Sequence, residues 1–501
     1  MTKTRDVLLF FVGTLLQQIV TFASGVFVAR WLGPDNYGVL SLVRNVYTVA
    51  LILAPLGLDL SLLRHLGEND HDRPRAMAQV GAFRVITAIV NCLVVLAVFL
   101  VIGPWVEARF YPHPHFSLYL SLTFLSLPFA ADVAILAATL RALNRPAFQA
   151  IASLYLQPLA RLGALILFLV MGMGLIGVIL STTVGVTVSM VTMSVALFLL
   201  LRREKTPPHK LEPQDRATLR RVYGYSAWLA SMLLAYGILR NIDILVLGRF
   251  RPSKEVGEYA ALSGLAQIIQ IYPFALSQTL APAVARLYAQ GDLAGMRREL
   301  GDYLRKASLL ASPIFAGLAV FGPWLDLLFG PKYHFQASLS FNLALAYYLS
   351  GVLGPMGVSL SMTGRHRREF AVLIIGLVGS IAGCVWAAPR FGANGVAIAI
   401  TAGYAFVNIV RAVLSARFTQ GMDAEWADLY PPLTCLAIAH VWRLFLEHFF
   451  ARSLLVAVPG AIGVCLIFAA AYWLFLLRPP EKAFVVSKLP LKRLGLAKGA
   501  G

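Results

Sequence analysis

Residues 7–38 read VLLFFVGTLLQQIVTFASGVFVARWLGPDNYG. The part before Arg30 is apolar and long enough to cross a bilayer as a helix, which takes about 20 residues. Thr14, Gln17, Gln18, Thr21 and Ser24 interrupt it at helical spacing and share one face. Arg30 and the pair Gly33-Pro34 punctuate its end. Lys3 and Arg5 precede the run as they would in a signal peptide. The run is too long for an h-region, however, and no A-x-A cleavage site follows, so it reads as a retained first helix.

The same pattern recurs along the chain. Apolar segments fall at about 7–29, 39–63, 78–102, 117–140, 147–171 and 174–201, then at about 224–248, 256–280, 304–328, 337–362, 369–388 and 393–416, with two more at about 431–449 and 454–477. About fourteen transmembrane helices are therefore expected. Of the 501 residues, 58% are apolar and only 13% charged, against roughly 25% in soluble domains. Mean hydropathy is +0.73. A soluble enzyme, a disordered chain and a coiled coil are excluded. Segments of about 10 residues alternating in polarity, the mark of a transmembrane β-barrel, do not occur.

The charge is lopsided, with 43 Lys and Arg against 24 Asp and Glu, a net +19. In a soluble chain this would point to nucleic acid; among apolar helices it points to basic cytoplasmic loops, and no nucleic-acid partner is expected. With the N-terminus inside, 29 Lys and Arg fall in inside segments and 8 in outside loops, the rest lying within helices. Both termini of this multi-pass protein are expected in the cytoplasm. Arg249, Arg251 and Lys254 run against the trend. The four cysteines lie in apolar runs and suggest neither a metal site nor a disulfide framework.

An internal repeat organises the chain. Arg30-Trp31 and Gly38 match Arg249-Phe250 and Gly257 at an offset of 219. Gly103-Pro104-Trp105 matches Gly322-Pro323-Trp324 at the same offset. Pro55 matches Pro273 at 218, as do Gly174, Gly177, Val178, Thr183 and Gly185 with Gly392, Gly395, Val396, Thr401 and Gly403. A repeat of six helices keeps both copies in one orientation, with a cavity expected between them near the midplane. The expected organisation is a six-helix lobe over 1–201, a cytoplasmic linker over 202–222, a second six-helix lobe over 223–417, two extra helices over 418–477 and a basic tail over 478–501.

Polar residues at membrane depth need a partner or a cavity. Gln149, Ser153, Gln157 and Arg161 form a ladder of four-residue steps; Ser41, Arg44, Asn45 and Thr48 cluster on the second helix; Tyr236, Arg240 and Asp243 share a face of the seventh. Hydrogen bonds between helices account for Ser and Thr alone, whereas ladders that include arginine favour a water-filled lumen. At about 1.5 Å per residue, Arg161 and Arg240 lie deep, Arg44 nearer the outer end. Arg84 and Arg411 lie near the inner end, within snorkelling reach of the headgroups. Candidate substrate contacts are thus Arg44, Arg161, Arg240, Gln17 and Gln157. Asp132, the deepest acid and without an obvious basic neighbour, is the first candidate for ion coupling, followed by Asp59 and by Asp243, which also sits one turn from Arg240 and within pairing distance of it. No phosphate loop, H-E-x-x-H motif or metal-ligand cluster is present, so neither enzymatic activity, a cofactor nor a metal is expected.

The stretch Val28-Ala29-Arg30-Trp31-Leu32-Gly33-Pro34-Asp35-Asn36-Tyr37-Gly38, with Leu56-Gly57-Leu58-Asp59 and Arg64, resembles the polysaccharide transporter family, the O-antigen and exopolysaccharide flippases of the multidrug/oligosaccharidyl-lipid/polysaccharide flippase superfamily. Asp243-Ile244-Leu245-Val246-Leu247-Gly248, Val256-Gly257-Glu258-Tyr259, Pro282 and Leu287-Tyr288 extend the resemblance through the second half. It implies a polyprenyl-diphosphate-linked oligosaccharide as substrate, moved to the outer leaflet by alternating access, with membrane lipids and the polysaccharide polymerase and export machinery as partners. The alternatives are a cation-coupled drug or metabolite exporter of the same superfamily and a lipid II flippase. The latter normally carries an Asp-Ala-Phe type sequence where this chain has Tyr37-Gly38-Val39. A membrane polymerase would need an extracytoplasmic catalytic loop, which the short connections do not supply.

Overall fold

The computed structural model describes residues 2–68, 72–204, 213–421, 430–449, 463 and 466–476. Every element among them is helical. Backbone amides in hydrocarbon have no water to bond, so an apolar chain satisfies them within each helix. The first half runs α1 (Thr2–Leu53), α2 (Leu58–Glu68), α3 (Arg73–Ala97), α4 (Gly103–Arg109), α5 (Phe116–Phe124), α6 (Leu127–Ala142), α7 (Pro146–Ala150), α8 (Gln157–Val170) and α9 (Gly174–Arg203). The second runs α10 (Pro213–Phe250), α11 (Ser253–Ala266), α12 (Ile271–Ala289), α13 (Leu293–Phe321), α14 (Asp326–Phe329), α15 (Ala337–Leu353), α16 (Met356–Met362), α17 (His366–Thr419) and α18 (Tyr430–Phe449). Nine helical stretches among the described residues are long and apolar enough to span a membrane. Two of them, Val12–Leu53 and His366–Thr419, each hold two expected spans joined at a kink. The kinks sit at Gly33 (φ 73°) and Gly392 (φ 60°), left-handed positions open to glycine.

The chain divides into two compact units. The first comprises residues 1–261, 329–333 and 370–403. In it α6 packs on α2, α3 and α9, and α8 lies along α9. Leu58, Leu62, Phe83 and Ile135 form one core cluster, Leu136, Leu140, Met193 and Leu197 another. On α3, Val85, Ile89, Leu93 and Leu96 point outward while Phe83, Thr87 and Asn91 are buried. This apolar exterior fits lipid rather than water. The kink at Gly392 is held by Glu255, which accepts from the Ala393 amide at 2.6 Å and pairs with Arg251 at 2.7 Å. A carboxylate suits a helix N-terminus, and the pairing accounts for one of the basic residues that run against the charge trend.

The second unit comprises residues 262–328, 334–369 and 404–501. Here α13 is central, packing on α12, α15 and α18. Ala316 and Val320 meet Cys435, Ala439 and Phe468, so the extra C-terminal helices add to this core. A buried ion pair joins Arg411 Nε to Glu369 at 3.1 Å, with Asn408 also accepting from Arg411. Arg411 was expected to snorkel and is instead enclosed.

The sequence repeat has counterparts in contacts. Arg84 pairs with Asp132 in the first unit. The residues 219 further on, Tyr303 and Gly351, are joined in the second unit by a hydrogen bond from the Tyr303 hydroxyl to the Gly351 carbonyl at 3.0 Å. Part of the expected linker, residues 205–212, and the tail 478–501 lie outside the described residues, as does half of the last expected helix.

Candidate functional site

The first unit brings Arg44 and Arg161 together. Arg44 projects from the second half of α1, whose direction is reset at Gly33. Arg161 projects from α8, which packs on both α1 and α9. At Gly185 the α9 backbone comes so close to α8 that an added Cβ would lie 2.9 Å from the Arg161 Cβ and from the Gln157 carbonyl oxygen. The electrostatic neighbours of Arg161 are Arg44 and Tyr37. Two like charges held together inside a membrane protein repel one another and carry a desolvation cost. Nη2 of Arg44 and Nε of Arg161 are buried with no hydrogen-bond partner among the described residues. Neither guanidinium forms an ion pair with any acid among the described residues. The pair is therefore an electropositive point.

Tyr37 completes the cluster and escaped the sequence reading as a site residue. It lies two turns before Arg44 on the same face of α1 and neighbours both arginines electrostatically. Seven-residue spacing to Arg44 was the available signal. Tyr333, in the loop after α14, adjoins this group: it is buried, burial pushes its phenol up, and it donates to the Ala29 carbonyl at 2.8 Å.

Other expected residues fall elsewhere. Gln17 and Gln157 are half-buried, with no side-chain hydrogen bond among the described residues. The ladder from Gln149 to Arg161 passes through a π-helical turn, Ile151–Leu156. Bonds from i to i+5 change the rotation per residue there, so strict four-residue alignment is not kept. Arg240 is exposed on α10, and it is not among the electrostatic neighbours of Arg44 and Arg161.

The acids separate into distinct environments. Asp132, expected to lack a basic neighbour, is gripped by Arg84: Nε to Oδ1 at 2.6 Å and Nη2 to Oδ2 at 2.8 Å, with Ser194 also accepting from Arg84 at 2.9 Å. Arg84, expected to snorkel, is committed to this pair. Asp243 does not pair with Arg240. It is buried, accepting from the Tyr259 hydroxyl and the Ile244 amide at 2.8 Å each, with no cationic partner among the described residues. Asp59 lies in the first turn of α2, its Oδ1 buried without a hydrogen bond among the described residues. Metal-type clusters of His, Cys, Asp and Glu are absent among the described residues.

The fold is that of known membrane transporters. It superposes on a lipid II flippase MurJ in an inward closed conformation with a TM-score of 0.73, at 15% identity, covering 94% of this chain and 100% of that one. An inward-facing multidrug resistance MATE transporter gives 0.64 over 83% of this chain and 98% of that one, at 15% identity. A transporter of the same superfamily from Pyrococcus furiosus gives 0.54 at 17% identity, over 83% of this chain and 95% of that one. In sequence, the uncharacterized membrane protein EpsK of Bacillus subtilis (strain 168) is 24% identical over 167 residues, 33% of this chain and 32% of EpsK. The match thus spans about a third of that curated relative. The family described as polysaccharide biosynthesis protein matches residues 4–288, more than half of the chain. This multi-pass membrane protein belongs to the polysaccharide biosynthesis protein family.

Proposed function

We propose that the protein is a flippase that carries a polyprenyl-diphosphate-linked oligosaccharide across the cytoplasmic membrane for cell-surface polysaccharide assembly, with Arg44 and Arg161 holding the diphosphate. The observation that carries this reading is the pair of half-buried arginines, each with a buried, unbonded guanidinium nitrogen and no carboxylate partner among the described residues. An unpaired arginine at membrane depth costs between about 3 and more than 10 kcal/mol. Two side by side cost more, and an anionic ligand offsets both. Guanidinium offers permanently charged, forked donors that match phosphate oxygens. The diphosphate is also the part of the substrate that resists spontaneous crossing, so a site for it is where catalysis of flipping has most to gain. A lipid-linked cargo is in keeping with the family and with a fold shared with a lipid II flippase.

For coupling, Asp243 is the stronger candidate than Asp132. Asp132 already has a bidentate counter-ion. Asp243 is buried with a phenol and an amide as partners, so it can gain a proton or a small cation without breaking an ion pair.

The test is translocation of a fluorescently labelled polyprenyl-diphosphate oligosaccharide in proteoliposomes. Wild-type protein should move the probe, and the Arg44→Ala, Arg161→Ala double variant, folded and inserted, should not. Movement at the wild-type rate by that variant would end the proposal.

A further inference from the structure

Tyr37 is the one member of the cationic cluster whose chemistry the arginines do not explain. We infer that its phenol is a direct ligand contact, a neutral hydrogen-bond donor that completes a three-point cradle with Arg44 and Arg161 for the diphosphate; this rests on the flippase reading above.

Three observations support it. The first is hydrogen-bond satisfaction. In the same unit the hydroxyls of Tyr47, Tyr111, Tyr155, Tyr259 and Tyr333 engage Ser126, Leu245, Leu9, Asp243 and Ala29 respectively. The Tyr37 hydroxyl, on a half-buried side chain, has no such partner among the described residues, a state it shares with the Tyr223 hydroxyl. Its electrostatic neighbours are Arg44 and Arg161, which carry no acceptor, and the Tyr333 phenol, whose proton goes to the Ala29 carbonyl. Beside two guanidinium groups, which only donate, the phenol has its own proton to give, and an oxyanion can accept from all three groups.

The second observation is rigidity. Tyr37 immediately precedes Gly38, whose backbone is pressed against α11, so the ring is carried on a fixed point of α1. It also follows the kink at Gly33. A donor held in place loses little entropy when the ligand arrives.

The third is asymmetry between the repeats. At the offset of 219, Tyr37, Arg44 and Arg161 correspond to Val256, Ser263 and Ser380. The two serines hold similar places: Gly403 crowds Ser380 as Gly185 crowds Arg161, and the Ser263 hydroxyl is already bonded to that of Tyr347. All three polar members of the cradle are thus particular to the first repeat and are replaced together.

The experiment is binding of a polyprenyl diphosphate to the purified full-length protein in detergent, for wild type, Tyr37→Phe and Arg161→Ala, with thermal melting to confirm folding. A hydrogen bond to a charged group contributes about 1.5–3 kcal/mol, so Tyr37→Phe should bind about tenfold or more weakly while Arg161→Ala loses binding further. Binding by Tyr37→Phe within twofold of wild type, with Arg161→Ala defective, would overturn the role of Tyr37 and leave the arginine reading standing. Unchanged binding by both variants would overturn both. Inorganic pyrophosphate should displace the probe from wild type. Equal displacement by phosphatidylglycerol would make the cradle a phospholipid headgroup site and overturn its assignment to the diphosphate.

Discussion

Gly38 and Gly257, 219 residues apart, make a reciprocal backbone contact. A Cβ on Gly38 would strike the Ser253 carbonyl oxygen and lie 3.0 Å from the Gly257 amide nitrogen. A Cβ on Gly257 would strike the Pro34 carbonyl oxygen and lie 3.0 Å from the Gly38 nitrogen. Pro34 and Ser253 are themselves 219 apart, so the contact maps onto itself when the repeats are exchanged. A local two-fold relation between α1 and α11 follows from the contact itself.

That contact leaves no room for a methyl group. Gly38→Ala and Gly257→Ala should each destabilise the protein by about 1–3 kcal/mol, the usual cost of overpacking. Gly25→Ala, with nothing within 4 Å of the added carbon, is the control and should be neutral or mildly stabilising. Thermal melting in detergent reads the difference; equal melting of Gly38→Ala and wild type would show that the helices move apart freely.

The helices and the repeat were legible because both are written in local sequence. Apolar length marks a span, and the glycines at 38 and 257 stand at matched places because close backbone approach demands them. The clustering of Arg44 with Arg161 was only half legible. Depth singled out each residue, but nearness between α1 and α8 is tertiary. The π-helical turn at 151–156 and the Arg84–Asp132 pair were not legible. The former is set by packing around α8, and the partners in the latter are 48 residues apart on separate helices. Arg240 illustrates the converse: its depth in the sequence matched that of Arg161, yet it is exposed and is not an electrostatic neighbour of the arginine pair.

Asp132 and Asp243 should separate stability from coupling. Asp132→Asn leaves Arg84 with a weaker partner in a site where the two side chains are 30% and 15% exposed. The expected loss is about 1–3 kcal/mol, below the roughly 3–5 of a fully buried pair, while transport by the folded fraction should keep its dependence on the ion gradient. Asp243→Asn should lose that dependence with little loss of stability. Gradient-driven uptake in vesicles, compared at matched protein levels, decides; the reverse pattern would return the coupling role to Asp132.

The Arg411–Glu369 pair is closed from solvent, at 6% and 2% side-chain exposure. Glu369→Gln removes the counter-charge but not the guanidinium. A loss of about 3–5 kcal/mol is expected, as for other buried pairs broken on one side. Arg411→Met with Glu369→Leu, which removes both charges, should recover much of it. A double variant as unstable as Glu369→Gln would show that the pair contributes more than mutual neutralisation.

Orientation follows from charge. With 29 Lys and Arg on one side and 8 on the other, a reporter fused at Lys210 should signal from the cytoplasm and one at Lys332 from outside. A cytoplasmic signal from Lys332 would invert the membrane sidedness assigned to the loop that carries Tyr333.

The arginines should differ in rank. Arg161 is half-buried and an electrostatic neighbour of Arg44, so Arg161→Ala removes half of a paired site and should abolish translocation. Arg161→Lys should restore only a fraction, because an ammonium keeps the charge but loses the planar fork that takes two phosphate oxygens at once. Arg240 stands exposed and apart from that pair. It can guide an anion toward the site through its field but has no bonded place in it, so Arg240→Ala should slow translocation by less than tenfold and act mainly at low substrate density. Raising salt should shrink the Arg240→Ala defect, since an exposed charge is screened over about 10 Å at 0.1 M ionic strength, and leave the Arg161→Ala defect unchanged. Initial rates in proteoliposomes across substrate density and salt test the ranking, and complete loss with Arg240→Ala at saturating substrate would place Arg240 inside the binding site.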